Sequence, residues 1–458
     1  MDNVLEYVLK KITPSNRERR ELGDVLKKII DAADAVIKPL HLEKTIAGSF
    51  IRDTWLADKK EIDLFILFPV SFSRDSLEKH GLEIGKRIVK MIGGKHEIAY
   101  AEHPYVKGKL KGFSVDIVPC YKVESASKIK SAVDRTPFHN RYITENLDTK
   151  KSGDVRLLKQ FCKSIDVYGS DIRTMGFSGY LCELLIIKYK SFKRFVLSAK
   201  NWEPGEFIDL EGHCTVKNPK SHFKDQPLVV IDPTDPKRNV AAALSEKNFV
   251  KFVKSCEMFV NKPSVKFFEK DVKVITKPQV EKLLEKRGTG LFAVKFRRPK
   301  VVDDILWSQM RKTSLRLFKL LKDHEFEIMG HPVWSNERFS FLLFEIKDFP
   351  LPETRRLVGP PAYSRKHSDE FTNKYKKGRI YVEGKRWMAE IKREYRKPEP
   401  LLKDFLEKSG KSLREEGVRS HIAKSVSKGF NIAKGEGVFR LVKKDREFAR
   451  FLRKYFES

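Results

Sequence analysis

Glutamine is almost missing from this chain: four occur in 458 residues, whereas Lys and Arg together number 93. Cysteine is scarce as well. The five, Cys120, Cys162, Cys182, Cys214 and Cys256, are odd in number, far apart and form no Cys-x-x-Cys, which argues against a disulfide framework and against a zinc ribbon. His213-Cys214 with the distant His222 is too sparse for a metal set and reads as loop. No apolar run reaches the length of a membrane span, and Met1-Asp-Asn-Val lacks a signal peptide. The expectation is a cytoplasmic, reduced protein with no membrane partner. Internal repeats and long low-complexity tracts are also missing. Acidic residues number 62 against the 93 basic ones, for a formal net charge of +31. That excess favours a polyanionic partner, because clustered Lys and Arg release counterions from phosphates. Abundant Lys and Glu with little Gln also suits a thermophilic surface, but solubility does not require so much charge of one sign. The length predicts about two to four domains.

What is present points to chemistry. Glu61-Ile-Asp-Leu-Phe-Ile-Leu-Phe68 reads as a strand bounded by Pro69. Side chains two apart on a strand share a face, so Glu61 and Asp63 project together while Ile62 turns away. A second strand, Phe113-Ser-Val-Asp-Ile-Val118, carries Asp116 and ends at Pro119. Carboxylates in buried strands are unfavourable unless a cation compensates them. Three oxygen donors from two strands suit Mg²⁺, which completes its shell with water and phosphate. The competing reading is a set of acids solvated or paired with nearby Lys and Arg. Gly48-Ser49 follows a helical segment, Arg19 to Leu40, and offers backbone N–H groups and a hydroxyl to phosphate. Together these features point to metal-assisted phosphoryl chemistry.

The segments Gly48-Ser49-x-x-Arg52, Glu61-Ile-Asp-Leu-Phe65, Asp116-Ile-Val-Pro-Cys120 and Asp134-Arg-Thr-Pro-Phe-His139 resemble those of the archaeal class I CCA-adding enzymes. These are tRNA nucleotidyltransferases of the polymerase-β superfamily. The likeness continues through Arg156-Leu-Leu-Lys159, Tyr168-Gly169, Gly176-Phe-Ser-Gly-Tyr-Leu-Cys-Glu-Leu-Leu185 and Asp232-Pro-x-Asp-x-x-Arg238. It is dense over about residues 40–245 and thinner beyond.

The resemblance implies an α+β, multidomain fold. A polymerase-β-like head with a mixed sheet (1–149) precedes a helical neck (150–264). A body (265–305 and 386–458) is interrupted by an inserted, tRNA-binding tail (306–385). It implies that CTP and ATP extend the tRNA 3′ end at the acceptor stem, that Mg²⁺ is the cofactor, and that the chain forms a homodimer. Glu61, Asp63 and Asp116 would be the catalytic, metal-holding carboxylates, with Asp116 nearest the attacking hydroxyl. Ser49, Arg52, His139, Lys159 and Tyr168 would bind nucleotide, with Thr136 and Arg238 as weaker candidates, Arg238 near the base edge. Without the resemblance, Lys159 would read as a solvated helix residue and Tyr168 as a half-buried aromatic. A poly(A) polymerase or oligoadenylate synthetase shares the head and neck chemistry. An RNA-binding protein with an inactive head is the non-enzymatic alternative.

Periodicity supplies the rest. Strands are predicted at Lys44–Ile46, Ile62–Phe68, His96–Tyr100, Phe113–Val118, Val265–Phe268, Leu291–Phe296 and Phe339–Phe349. Helical spacing covers Val155–Cys162, a segment capped by Ser178, residues 246–262 and Asp304–Glu325. For RNA, the basic segment Lys408–Lys434 and Arg365, Lys366, Lys374, Lys376, Lys377, Arg379, Arg386 and Trp387 are candidates, since A-form RNA is read largely through backbone and shape. Phe50-Ile51, bulky after Gly-Ser, is expected to alter the phosphate turn slightly, and the polar connection 211–226 is irregular.

Overall fold

The computed structural model describes residues 1–58, 60–100, 102–214, 222–270, 273–347 and 350–457. Phe349 of the predicted strand and residues 215–221 of the irregular connection lie outside the described residues. The chain divides into two compact units, 1–271 and 272–458.

In the first unit, α1 (Asp2–Ile12) is followed by α2 (Asn16–Ile37). The latter starts earlier than periodicity suggested because Ser15 and Glu18 form a capping box, each accepting from the other's backbone N–H. A sheet follows from β1 (Glu43–Ala47), β2 (Glu61–Phe68), β3 (Lys95–Tyr100), β4 (Pro104–Leu110) and β5 (Phe113–Tyr121), in the order β1-β2-β5-β4-β3. Only β2 and β5 run parallel, so the sheet is mixed as expected. Helix α3 (Arg74–Met91) supplies the crossover. Ile62, Leu64, Ile66, Val115 and Ile117 bury one face of the central strands against α2 and α3 residues. The alternate residues, Asp63 and Asp116 among them, therefore lie on the opposite face.

Beyond the sheet come α4 (Thr136–Asn146), α5 (Ser152–Ser164), α6 (Gly179–Tyr189) and α7 (Phe192–Ala199). Three short strands follow, β6 (Glu206–Ile208), β7 (Leu228–Asp232) and β8 (Asp235–Asn239), before α8 (Glu246–Asn261). Ser178 caps α6 by accepting from Leu181 N–H at 3.0 Å, as its position predicted. Val265–Phe268 is a 3₁₀ turn and not a strand. Ser264 caps it, and Phe268 is buried among Phe161, Phe192 and Phe259, so packing of aromatic rings decides the conformation of this short apolar run. Helix α1, expected in the head, contributes Val8 to this helical core.

The second unit has α9 (Lys277–Arg287), β9 (Thr289–Arg297), α10 (Asp303–Asp323), β10 (Glu327–Gly330), β11 (Val333–Ser335) and β12 (Phe339–Lys347). Next come β13 (Thr354–Pro361), α11 (Arg365–Lys374), β14 (Arg379–Glu383) and β15 (Arg386–Lys392). It closes with α12 (Pro398–Leu406), α13 (Gly410–Glu415), α14 (Ser420–Val426), β16 (Phe430–Lys434), α15 (Glu436–Lys444) and α16 (Arg446–Glu457). Residues 306–385, expected as one inserted tail, divide between two sheets. Strands β10 and β11 pair with β12, β12 pairs with β9 and β9 with β16, whereas β13 and β14 flank β15. The apolar run of β12 does not show by itself which partner it takes, and its antiparallel pairing with β9 puts it in the larger sheet. Among the described residues no helix is long and apolar enough to cross a membrane.

Candidate active site

The parallel register of β2 and β5 sets Asp63 directly beside Asp116 and Glu61 beside Ser114. On the other side of β5, Lys107 of β4 pairs with Asp116. Lys107 Nζ lies 3.6 Å from Asp116 Oδ1, and that buried oxygen has no hydrogen-bond partner. Burial pushes the Asp116 carboxyl above the ordinary carboxylate range, and the neighbouring Glu61 charge adds to the shift against Lys107 and Tyr105. The Tyr105 phenol is pushed up to about 12, first by burial and then by the negative charge of Asp116 beside it.

Gly48 has φ +95°, and a Cβ built there would stand 2.6 Å from Asp63 Oδ2. Only glycine lets the backbone lie against this carboxylate. Three carboxylates from one sheet face are hard oxygen donors, and a buried carboxylate oxygen without a donor is the group that a hard divalent cation satisfies. The residues therefore fit Mg²⁺. Among the described residues no three His, Cys, Asp or Glu side chains form a ready-made cation cluster; Asp63 lies against Gly48 and Lys107 stands beside Asp116.

The loop after β1 is held from several sides. Ser49 C=O accepts from Thr54 N–H at 2.9 Å. Asp53, at φ +52°, takes a two-pronged hydrogen bond from Arg19 of α2, at 2.6 and 3.1 Å, and its carbonyl accepts from Arg156 of α5. Phe50 turns into the head core against Trp55, with ring centroids 4.9 Å apart. Its bulk is thus absorbed by the core, leaving Ile51 exposed.

Arg52 and Lys159 point inward. Arg52 donates to Asn140 Oδ1 at 2.5 Å and to Glu183 Oε2 at 2.9 Å, while Lys159 donates to Glu183 Oε1 at 3.2 Å and to Thr54. Their side chains are 11% and 3% exposed, and Glu183 is fully buried. Burial would raise the Glu183 carboxyl, but Lys159 and Arg52 outweigh it and hold the group below its ordinary value. Burial lowers the Lys159 ammonium against the pull of Glu183. Arg52 and Lys159, both expected at the phosphates, thus meet in a buried cluster of two cations around one carboxylate.

A second buried carboxylate gathers other candidates. Asp232, at the end of β7, accepts from His139 Nε2 at 2.8 Å, Arg238 Nη1 at 2.7 Å and Tyr180 OH at 3.2 Å. Thr234 closes the set through its N–H and hydroxyl, at 3.0 and 2.9 Å. Burial opposes ionisation of Asp232, but the His139 bond, Thr234 and Arg238 together depress its pKa well below the ordinary range. His139 and Tyr180 stack with centroids 4.1 Å apart and planes 19° from parallel. Thr136 is half-buried in the first turn of α4. Tyr168 and Lys159 both lie against the start of α6, where a Cβ on Gly179 would be 3.3 Å from the phenol oxygen and 3.7 Å from Nζ. Burial drives the Tyr168 phenol up, so it stays protonated. The basic RNA candidates lie in the second unit: Arg365, Lys366 and Lys374 on α11, Lys376 and Lys377 after it, Arg379 on β14, and Arg386 and Trp387 on β15.

Glu183 and Asp232 lie inside the recognised sequence segments but carried no assigned role. An acid in an otherwise apolar helix (Glu183) or closing an apolar strand (Asp232) was the available signal.

Residues 26–139 match the family profile described as nucleotidyltransferase domain, 153–269 that of the second domain of tRNA nucleotidyltransferase, and 287–435 the CCA-adding enzyme C-terminal domain. The head thus has the polymerase-β-like nucleotidyltransferase fold. The chain is similar along almost its whole length to curated archaeal proteins named CCA-adding enzyme. That of Methanosarcina mazei is 38% identical over 457 residues, covering 98% of this chain and 97% of the relative. That of Methanothermobacter thermautotrophicus is 37% identical over 448 residues, with 97% and 96% covered. That of Archaeoglobus fulgidus is 36% identical over 445 residues, covering 96% of each.

Proposed function

The chain belongs to the archaeal CCA-adding enzymes, and from that premise we propose that it builds and repairs the 3′-terminal cytidine-cytidine-adenosine of tRNA from CTP and ATP. The 3′-oxygen of the RNA attacks the α-phosphorus, the new phosphodiester forms, and pyrophosphate leaves. The observation that carries this reading is the pairing of Asp63 with Asp116 across two parallel strands, with a buried Asp116 oxygen that no donor satisfies.

Glu61, Asp63 and Asp116 would hold Mg²⁺. When bound there, Mg²⁺ makes the 3′-hydroxyl more acidic and neutralises charge on the departing pyrophosphate. Asp116 orients the hydroxyl and holds its proton. Ser49 and the N–H groups of its loop bind phosphate oxygens. Arg52 and Lys159 against Glu183 leave one positive charge in the cluster, which favours the triphosphate without a direct contact. Tyr168 donates to a phosphate or ribose oxygen. His139 and Arg238 meet the nucleoside, and Thr136 lies beside them. The basic surface of α11, β14 and β15 and the segment Lys408–Lys434 receive the tRNA. The protein works in the cytoplasm as a homodimer.

The test is purified protein with Mg²⁺ and a tRNA transcript lacking its last three nucleotides, given CTP, ATP or both. Two C residues from CTP, one terminal A only with both, and then arrest are expected. Unlimited A addition from ATP alone would transfer the protein to the poly(A) class, and no incorporation would leave an RNA-binding protein. Asp63→Ala should abolish incorporation while RNA affinity holds; equal loss of both would refute the metal role.

A further inference from the structure

We propose that Asp232 is a positioning residue that sets which base the nucleotide site accepts, by fixing Arg238 and the His139–Tyr180 stack against each other. This deepens the tRNA-completing reaction proposed above and rests on it.

Asp232 is fully buried, yet its partners are not all interior groups. Oδ1 is saturated by Tyr180 and Thr234, which hold the carboxylate still. Oδ2 takes the two remaining donors, His139 and Arg238, and these come from α4 and β8. The Arg238 side chain is 35% exposed. One guanidinium nitrogen is therefore anchored while the rest of the group reaches outward. A free arginine loses rotamer entropy when fixed; here the carboxylate has already fixed it. Beside it the His139–Tyr180 stack offers a flat face of the size of a heterocycle.

A rigid donor fork next to a flat ring face is an arrangement for reading a base edge. Cytosine presents two adjacent acceptors on its pairing edge, whereas adenine presents one acceptor next to an amino donor. A guanidinium held in one orientation matches the first pattern by two parallel N–H bonds. A loosened one can turn to meet either base and distinguishes them less. Selectivity in such a site comes from polar groups left unpaired by the wrong partner, which requires that they cannot reorient.

The test measures kcat/KM for CTP on tRNA lacking the whole terminus and for ATP on tRNA ending in its two C residues. Wild type, Asp232→Asn and Tyr180→Phe are compared, with thermal melting recorded alongside. Asp232→Asn is expected to lower the CTP:ATP ratio of kcat/KM by about tenfold, the scale of discrimination lost when a reading group is freed. Tyr180→Phe, which removes one 3.2 Å hydrogen bond and keeps the ring stack, should shift the ratio the same way by less. A purely structural Asp232 would lower both values by one factor and leave the ratio unchanged, and that result overturns the proposal. If Asp232→Asn does not fold, the Tyr180→Phe ratio decides by the same criterion. Failure of the wild type to use either nucleotide would instead sink the proposed reaction, and this inference with it.

Discussion

Replacing Gly48 by alanine separates the catalytic geometry from the stability of the head. Two effects add. The residue has φ +95°, where a Cβ introduces strain of about 1–3 kcal/mol. In addition, the new carbon would stand 2.6 Å from Asp63 Oδ2. Ordinary non-bonded contact is about 3.5 Å, so the carboxylate must retreat by roughly 1 Å. A misplacement of that size in a reacting centre lowers the rate by about 10²-fold. Gly93 provides the control: it lies after α3 at φ +73° with nothing within 4 Å of its would-be Cβ. Gly93→Ala therefore imposes comparable backbone strain without touching Asp63. The assay is single-turnover C addition to tRNA, paired with calorimetric melting of each variant. Both substitutions should lower the melting temperature by several degrees, about 2–4 °C per kcal/mol for a unit of this size. Only Gly48→Ala should lose activity by two orders of magnitude. Equal activity of the two variants at saturating Mg²⁺ and nucleotide would refute the argued contact between Gly48 and Asp63.

Two other outcomes follow from the buried carboxylates. Glu183→Gln leaves Arg52 and Lys159 without their counter-ion, a change that destabilises by about 3–5 kcal/mol; calorimetric melting should fall accordingly, and an unaltered melt would contradict the cluster's role. Asp232 has a depressed folded-state pKa, so its contribution to stability is complete above its ordinary value of 3.8 and is lost as pH falls below it toward the lowered folded value. The melting difference between wild type and Asp232→Asn should thus be largest near neutrality and shrink in acid; a difference that grows on acidification would reverse the assigned direction.

The head's central strands were legible because β2 and β5 are long apolar runs, and their period placed Glu61, Asp63 and Asp116 on one face; β5, expected to end at Pro119, continues through it to Tyr121 because these residues stay paired with β2. Strand β4 was not. Lys107, Gly108 and Lys109 break its apolar pattern, and it forms because its backbone pairs with β3 and β5. Val265–Phe268 misled for the opposite reason, being apolar enough for a strand but lacking a partner in any described sheet. At the site, motif resemblance supplied residue identities but not their orientation. Arg52 and Lys159 were expected to face phosphate, and what turns them inward is Glu183, at separations of 131 and 24 residues respectively. The meeting of His139 with Asp232, 93 residues apart, is likewise a product of folding that no local pattern encodes.

The loop carrying Ser49 and Arg52 also has a history in time. Its anchors Arg156 and Glu183 are made long after it: the Arg156 bond to Asp53 spans 103 residues, and Glu183 reaches Thr54 and Arg52 across 129 and 131. A nascent chain that has emerged only as far as β5 already owns all three carboxylates. The loop beside them gains its anchors only when α5 and α6 leave the ribosome, so a prematurely ended product carries the acids of the reaction without the clasp that readies them.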